Sequence, residues 1–177
     1  GAVATKGGKI AGLFNGIEVP EAGVTIDGDR HYLLPGGVDP HVHIRYPGGA
    51  HRETFLTGTQ AAAAGGVTTI IEHPISEPPQ YTVEILMNRV NLLKEQAIVD
   101  VAFLGAAGGE KIEHIQSLGR TGIVGYKTFL HAAPEGREKE FEGLTSKNNF
   151  ELMEVLKEKN LEVDFKNSYM FSDSLSD

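Results

Sequence analysis

Two histidines spaced i, i+2, His41 and His43, stand in "VDPHVHIRYPGG" (38–49), an apolar run that begins after a Pro-Gly-Gly turn. Residues i and i+2 of a strand share one face, so the two imidazoles point the same way. Neutral imidazole is the commonest metal ligand, and a pair at a strand end can begin a metal centre. Two hydrogen-bonded histidines on a half-buried strand would leave the same pattern. A second chemical oddity is Lys127, flanked by apolar residues in "GIVGYKTFL" (122–130). Taking an ammonium out of water is costly and drives its pKa down. Either the amine reaches out of the strand end to a carboxylate, or it has reacted with carbon dioxide to give a carbamate whose two oxygens could bridge two metal ions.

The elements that must position these residues have two textures. Up to about Leu34 the chain is glycine-punctuated, and "GGKIAGLF" (7–14) and "AGVTIDGDRHYLLPGG" (22–37) read as short β segments joined by tight turns. From Val38 strand-like and helix-like stretches alternate. The strands are "VDPHVHI", "VTTIIEHP", "AIVDVAFLGA", "GIVGYKTFL" and "LEVDF", and the helices between them cover 51–64, 80–96, 110–119 and 147–160. Val83, Leu86, Met87, Val90 and Leu93 recur at three and four residues, as do Ile112, Ile115 and Leu118, so each of those helices carries an apolar stripe for a sheet. Near-continuous apolar strands in β-α order predict a parallel sheet covered by helices, an α/β fold. The stretch "HAAPEGREKEFEGLTSKNN" (131–149) is a polar connection longer than most.

Composition narrows the partners. Sixteen Lys and Arg against 24 Asp and Glu leave a net charge of −8, and the basic residues are scattered, which argues against nucleic acid. No apolar run approaches the ~20 residues of a membrane span, and there is no basic-then-apolar secretion signal. Cysteine is absent, which excludes disulfides and thiolate metal sites. The expectation is a cytoplasmic protein acting on a small molecule.

Taken together, "LLPGGVDPHVHIRYPG", "TFLTGTQAAAAGGVTTIIEHPISEPP" and "GIVGYKTFL" follow one another in the order and spacing of the cyclic amidohydrolases. From about Lys6 to Val163 the chain resembles the dihydroorotase, allantoinase and hydantoinase group of the amidohydrolase superfamily. The resemblance implies a partial (β/α)8 TIM-type barrel, about its first half, spanning 35–177 and preceded at 1–34 by part of a small β domain. It implies that His41 and His43 bind the more buried of two divalent metals, usually zinc, and that a carbamate on Lys127 bridges both. The substrate would be a small cyclic amide, and the complete parent a homo-oligomer. Arg45 would grip a substrate carboxylate, as the arginine of H-x-H-x-R does in dihydroorotases; the alternative is neutralisation by a nearby acid such as Glu53. "EHPISEPP" lacks the asparagine of dihydroorotases and looks closer to allantoinases, so the ring stays open among hydantoins, allantoin and dihydroorotate.

His73, closing the second barrel strand, is a candidate for substrate contact or a satisfied structural residue. Asp39 either orients a metal histidine or makes a turn before Pro40. His51, His114 and His131 read as solvated surface. Relatives add histidines on the fifth and sixth strands and a proton-shuttling aspartate on the eighth, and "LEVDFKNSYMFSDSLSD" (161–177) does not supply them. The chain therefore reads as truncated, with weak metal binding and no hydrolysis of its own. Two other readings are a non-catalytic relative used in binding or assembly, and a different H-x-H hydrolase such as a phosphoesterase. A metal assay tests the first, and turnover of a hydantoin against a phosphate ester tests the second.

Overall fold

The computed structural model describes residues 1–16, 18–129, 131–145, 154 and 157. The chain divides into two compact units, Gly1–Pro35 and Gly36–Asp177.

The first unit holds an antiparallel hairpin of β1 (Ala2–Lys6) and β2 (Lys9–Phe14). Its two-residue turn, Gly7-Gly8, has φ of 59° and 74°. Both central residues of such a turn sit in the left-handed region, where only glycine is free of Cβ strain. The strand expected within 22–37 does not form before Gly37: described residues 18–36 carry no strand, and Val24, Ile26 and Tyr32 are exposed. A strand is stabilised by its partner, and the apolar content of this stretch is no substitute for one.

The second unit is a parallel sheet in the order β3 (Gly37–Val42), β4 (Val67–Glu72), β5 (Asp100–Ala106), β6 (Gly125–Lys127). Helices α1 (Phe55–Ala64) and α2 (Val83–Gln96) connect the first three strands, and a 3-10 turn (Gly109–His114) running into α3 (Ile115–Gly119) connects the last two. Chain order equals sheet order, the arrangement of the first half of a (β/α)8 barrel. Thr54 caps α1 reciprocally with Thr57, each hydroxyl accepting from the other's backbone N–H. The Thr82 hydroxyl accepts from Ile85 N–H to start α2, with Glu84 in the first turn and Lys94 in the last, both favourable to the helix dipole.

Ile44, Phe55, Ile70, Leu86, Phe103 and Leu118 form the core between sheet and helices. Of the stripe expected on α2, Leu86 is buried with Val90 and Leu93 packed beside it, but Met87 is 40% exposed. The core position that follows Leu86 belongs instead to Arg89, three residues on and 1% exposed. The helix expected over 110–119 is broken by Lys111 at φ −134°, yet Ile115 and Leu118 are fully buried. The long polar connection is anchored rather than loose: Phe141 and Leu144 pack with Phe129 and Ile75 in a second cluster. The helix expected over 147–160 lies outside the described residues except for Glu154 and Lys157, both helical, and the strand "LEVDF" lies outside them altogether. No described helix is long and apolar enough to cross a membrane.

Candidate metal centre

Strand β3 delivers His41 one residue before its end and His43 one residue after it. Their Nε2 atoms stand 3.1 Å apart, as the shared strand face requires. Pairing of β3 with β4 sets Val42 opposite Glu72, and His73 N–H donates to Val42 O at 2.8 Å. That last ladder bond carries His73 to the same place. Its ring stacks on His41 with centroids 3.9 Å apart and planes 3° from parallel, and it meets His43 edge-on at 5.2 Å. One ring nitrogen from each of the three lies within 4.8 Å of the others.

The hydrogen bonds decide which nitrogens are available. His73 Nε2 lies 3.0 Å from Pro40 O. A carbonyl only accepts, so Nε2 carries the proton and Nδ1 of the neutral ring keeps its lone pair. The Nδ1 atoms of His43 and His73 are buried with no hydrogen-bond partner among the described residues. Burial, with the neighbouring imidazoles and the Arg45 and Lys127 charges, pushes His43 down to about 3. Burial pushes His73 down to about 4, with Pro40 O opposing and His41 and Lys127 adding to the fall. Both rings are therefore neutral near pH 7, the protonation state that ligates metals. Ligands about 2.0–2.1 Å from a tetrahedral zinc stand roughly 3.3–3.4 Å apart, close to the separation of His41 and His43. The donor set thus fits a divalent ion in its chemistry, and the spacing of His41 and His43 fits two ligands of one ion.

Lys127 ends β6 and is 6% exposed, its Nζ 4.7 Å from the centroid of the Phe129 ring. Its strand, β6, is the fourth of the parallel sheet whose first two strands carry the histidines. Asp39 Oδ1 accepts from His41 N–H at 3.0 Å, the bond of a turn rather than a contact to an imidazole.

Arg45 does not continue the strand alternation. The strand has ended at Val42, and Arg45 adopts φ +60°, a left-handed conformation that costs a non-glycine residue about 1 kcal/mol or more. Its guanidinium donates to Glu140 at 3.0 Å, and Glu140 also accepts from Arg137 at 2.6 Å. The neutralising acid is Glu140, ninety-five residues along the chain, and not Glu53. Arg45 lines a pocket with Gly48, Arg52, Ser76 and Glu140, at whose rim His51 is exposed, as a surface histidine was expected to be.

Sequence reasoning missed the support beneath these residues. Glu72 is fully buried and accepts from Ile44 N–H at 2.9 Å, Arg45 N–H at 3.1 Å and Arg89 Nη2 at 2.6 Å. Arg89 also donates to Tyr46 O at 2.8 Å and to the Gln80 side chain, whose amide donates to Leu104 O at 2.8 Å. Its guanidinium carbon lies 5.6 Å and 5.4 Å from the ring centroids of Phe55 and Phe103. Burial pushes the Glu72 carboxyl up, while Arg89 and the two backbone donors pull it back. The network fixes the backbone directly after His43 and the residue directly before His73. Two signals were present: an acid within the apolar run "VTTIIEHP", and an arginine on the core stripe of α2.

The family model described as "Amidohydrolase family" matches residues 32–166. The chain is 39% identical over 137 residues to an allantoinase of Streptomyces avermitilis, covering 76% of this chain and 30% of that protein. It is 37% identical over 125 residues to an allantoinase of Deinococcus radiodurans, covering 70% and 28%. Among solved structures, an L-hydantoinase (dihydropyrimidinase) from Arthrobacter aurescens superposes with a TM-score of 0.76 at 30% identity, over 88% of this chain and 34% of that one. The chain thus spans about a third or less of the length of these relatives.

Proposed function

The chain belongs to the amidohydrolase family, and from that premise we propose that its activity in the whole protein is metal-dependent hydrolysis of a C–N bond in a small cyclic amide of the hydantoin, allantoin or dihydroorotate type. The observation that carries the reading is the convergence of His41, His43 and His73 at the ends of two neighbouring strands of one parallel sheet, with Lys127 buried at the end of another strand of the same sheet. Allantoin is the first substrate to try, because the allantoinases are 37–39% identical to this chain.

His41 and His43 would hold the first of two divalent ions, zinc being the natural choice for imidazole donors in a tetrahedral setting. Such ions, when bound, lower the pKa of water from ~15.7 toward 7 and polarise an amide carbonyl. Lys127 would serve as a ligand after its neutral amine adds to carbon dioxide, forming an N–C bond and releasing one proton. Arg45 supplies a cation for an anionic ring substrate, and to do so it must exchange Glu140 for the substrate carboxylate.

The test uses the whole protein. Lys127→Ala is expected to lose the second of the two ions, the one that needs the lysine as a ligand, and allantoin or hydantoin turnover together, and short carboxylic acids are expected to restore part of both. Full activity in Lys127→Ala refutes the carbamate role, and turnover of a phosphate ester in place of any cyclic amide refutes the reaction class.

A further inference from the structure

We propose that His41, His43 and His73 together form a self-sufficient site for one divalent metal ion, in which His73 Nδ1 is the third ligand and Lys127 is not required. The proposal rests on the metal-binding part of the reading above and goes past it in the third ligand. His73 is thereby moved from substrate contact to the metal itself.

Three observations carry it. The three rings offer nitrogens within 4.8 Å of one another, and the closest pair, at 3.1 Å, is near the spacing of two ligands on one tetrahedral ion. His73 Nε2 is committed to Pro40 O at 3.0 Å, which fixes the tautomer and leaves the Nδ1 lone pair as the ring's free coordinating position. A backbone carbonyl holding the far nitrogen of a ligating imidazole is the usual means of orienting such a ring. Finally, that Nδ1 is buried and has no hydrogen-bond partner among the described residues. An acceptor taken from water and left unmatched costs about 1–3 kcal/mol, and a metal ion is one group that would satisfy it.

Ligand counting changes as a result. Two imidazoles and a lysine do not complete a zinc sphere, which is why the sequence suggests weak binding. Three imidazoles plus water do. All three come from β3, β4 and the residues that directly follow them, so no donor from another part of the chain is called on. One adjustment is needed. A metal must lie near the plane of each ring it binds, and His41 and His73 are stacked parallel at 3.9 Å. Rotation of the two side chains must open the stack, and this supplies a signature of binding.

The 177-residue chain, freed of metal with a chelator, is titrated with zinc by calorimetry and with cobalt(II) by visible absorption. One ion per chain is expected, with the strong absorption of a four-coordinate cobalt site, and Lys127→Ala should retain it. His41→Ala, His43→Ala and His73→Ala should each weaken binding by more than the about 10–100-fold typical of an outer-shell partner. In case His73→Ala does not fold, long-range proton–nitrogen NMR on the unaltered chain carries the test. Zinc should shift the Nδ1 resonance of His73 and move the ring protons of His41 and His73 as the stack opens. Zinc that shifts His41 and His43 but leaves His73 Nδ1 in place overturns the three-histidine site and leaves the hydrolase reading intact. So does binding that disappears in Lys127→Ala. Absence of any zinc binding overturns the site, and turnover by the whole protein then judges the hydrolase reading on its own.

Discussion

Replacing Glu72 by Gln keeps the side-chain volume but removes a charge that three donors surround. Gln offers one acceptor oxygen where the carboxylate offers two, and its NH2 must face either Ile44 N–H or the Arg89 guanidinium. Arg89 is 1% exposed and cannot shed its proton, so the variant holds an uncompensated buried cation. Breaking a buried pair by removing one partner costs about 3–5 kcal/mol. For a domain of this size, with roughly 2–4 °C of melting temperature per kcal/mol, the expected loss is about 6–20 °C. Arg89→Met should behave differently, because the stranded Glu72 can take up a proton. With its folded pKa raised above the unfolded value, its stability relative to the parent is best preserved below about pH 4.3. The deficit then grows by about 1.4 kcal/mol per unit as pH rises, until the folded pKa is passed. Urea denaturation followed by circular dichroism at several pH values between 4 and 8, each variant against the unaltered chain, measures both. A Glu72→Gln loss below about 1 kcal/mol, or an Arg89→Met deficit that does not vary with pH, refutes the assignment of this pair as the charged support of the site.

Further outcomes follow from other residues. His43 and His73, held neutral down to about 3 and about 4, bind fewer protons in the folded state than in the unfolded one. Their contribution is present above pH 6.5 and lost as pH falls toward 4, at up to about 1.4 kcal/mol per unit for each histidine; urea midpoints at pH 7.5 and 5 will read it. Phe55→Ala empties the centre of the core, where Phe55 has no exposed surface, and should cost about 3–5 kcal/mol in the same assay. Thr82→Ala removes the α2 cap bond at a cost of about 0.5–2 kcal/mol, while Thr82→Asn should restore most of it. In the whole protein, Arg45→Met should raise KM for an anionic ring such as dihydroorotate far more than for neutral hydantoin; equal changes count against a carboxylate role.

The sheet and its order were legible because hydrophobic period and β-α alternation are local signals, and each apolar run from Val38 to Lys127 holds a strand. Boundaries were less so: "VDPHVHI" reads as strand to Ile44, but the ladder stops at Val42, where Glu72 takes the N–H groups of Ile44 and Arg45 that a continuing strand would have bonded. The same substitution of side chain for ladder leaves Arg45 outside the strand, at φ +60°. His41 and His43 were legible as a pair from their spacing alone. His73 was visible as a residue and not as their companion, since the stacking at 3.9 Å depends on parallel register between strands about thirty residues apart. Glu140 against Arg45 is of the same kind, a meeting of distant segments that no local pattern encodes. In the first unit the strand-like composition of 22–34 misled for the opposite reason, because composition proposes a strand and only a neighbour completes it.

The identity of chain order and sheet order has a consequence in time. Gly37 pairs with Val67, Thr69 with Asp100 and Leu104 with Gly125, so each new strand closes a loop of roughly twenty to thirty residues onto the one made just before it. Such a sheet is suited to growing by accretion as the chain leaves the ribosome at about 5–20 residues per second. His41, His43 and His73 all belong to the first such addition, whereas Lys127 arrives with the third, some seconds later on that clock. The imidazoles are thus the earliest part of the centre to be assembled, available to a metal while the remaining strands are still being made.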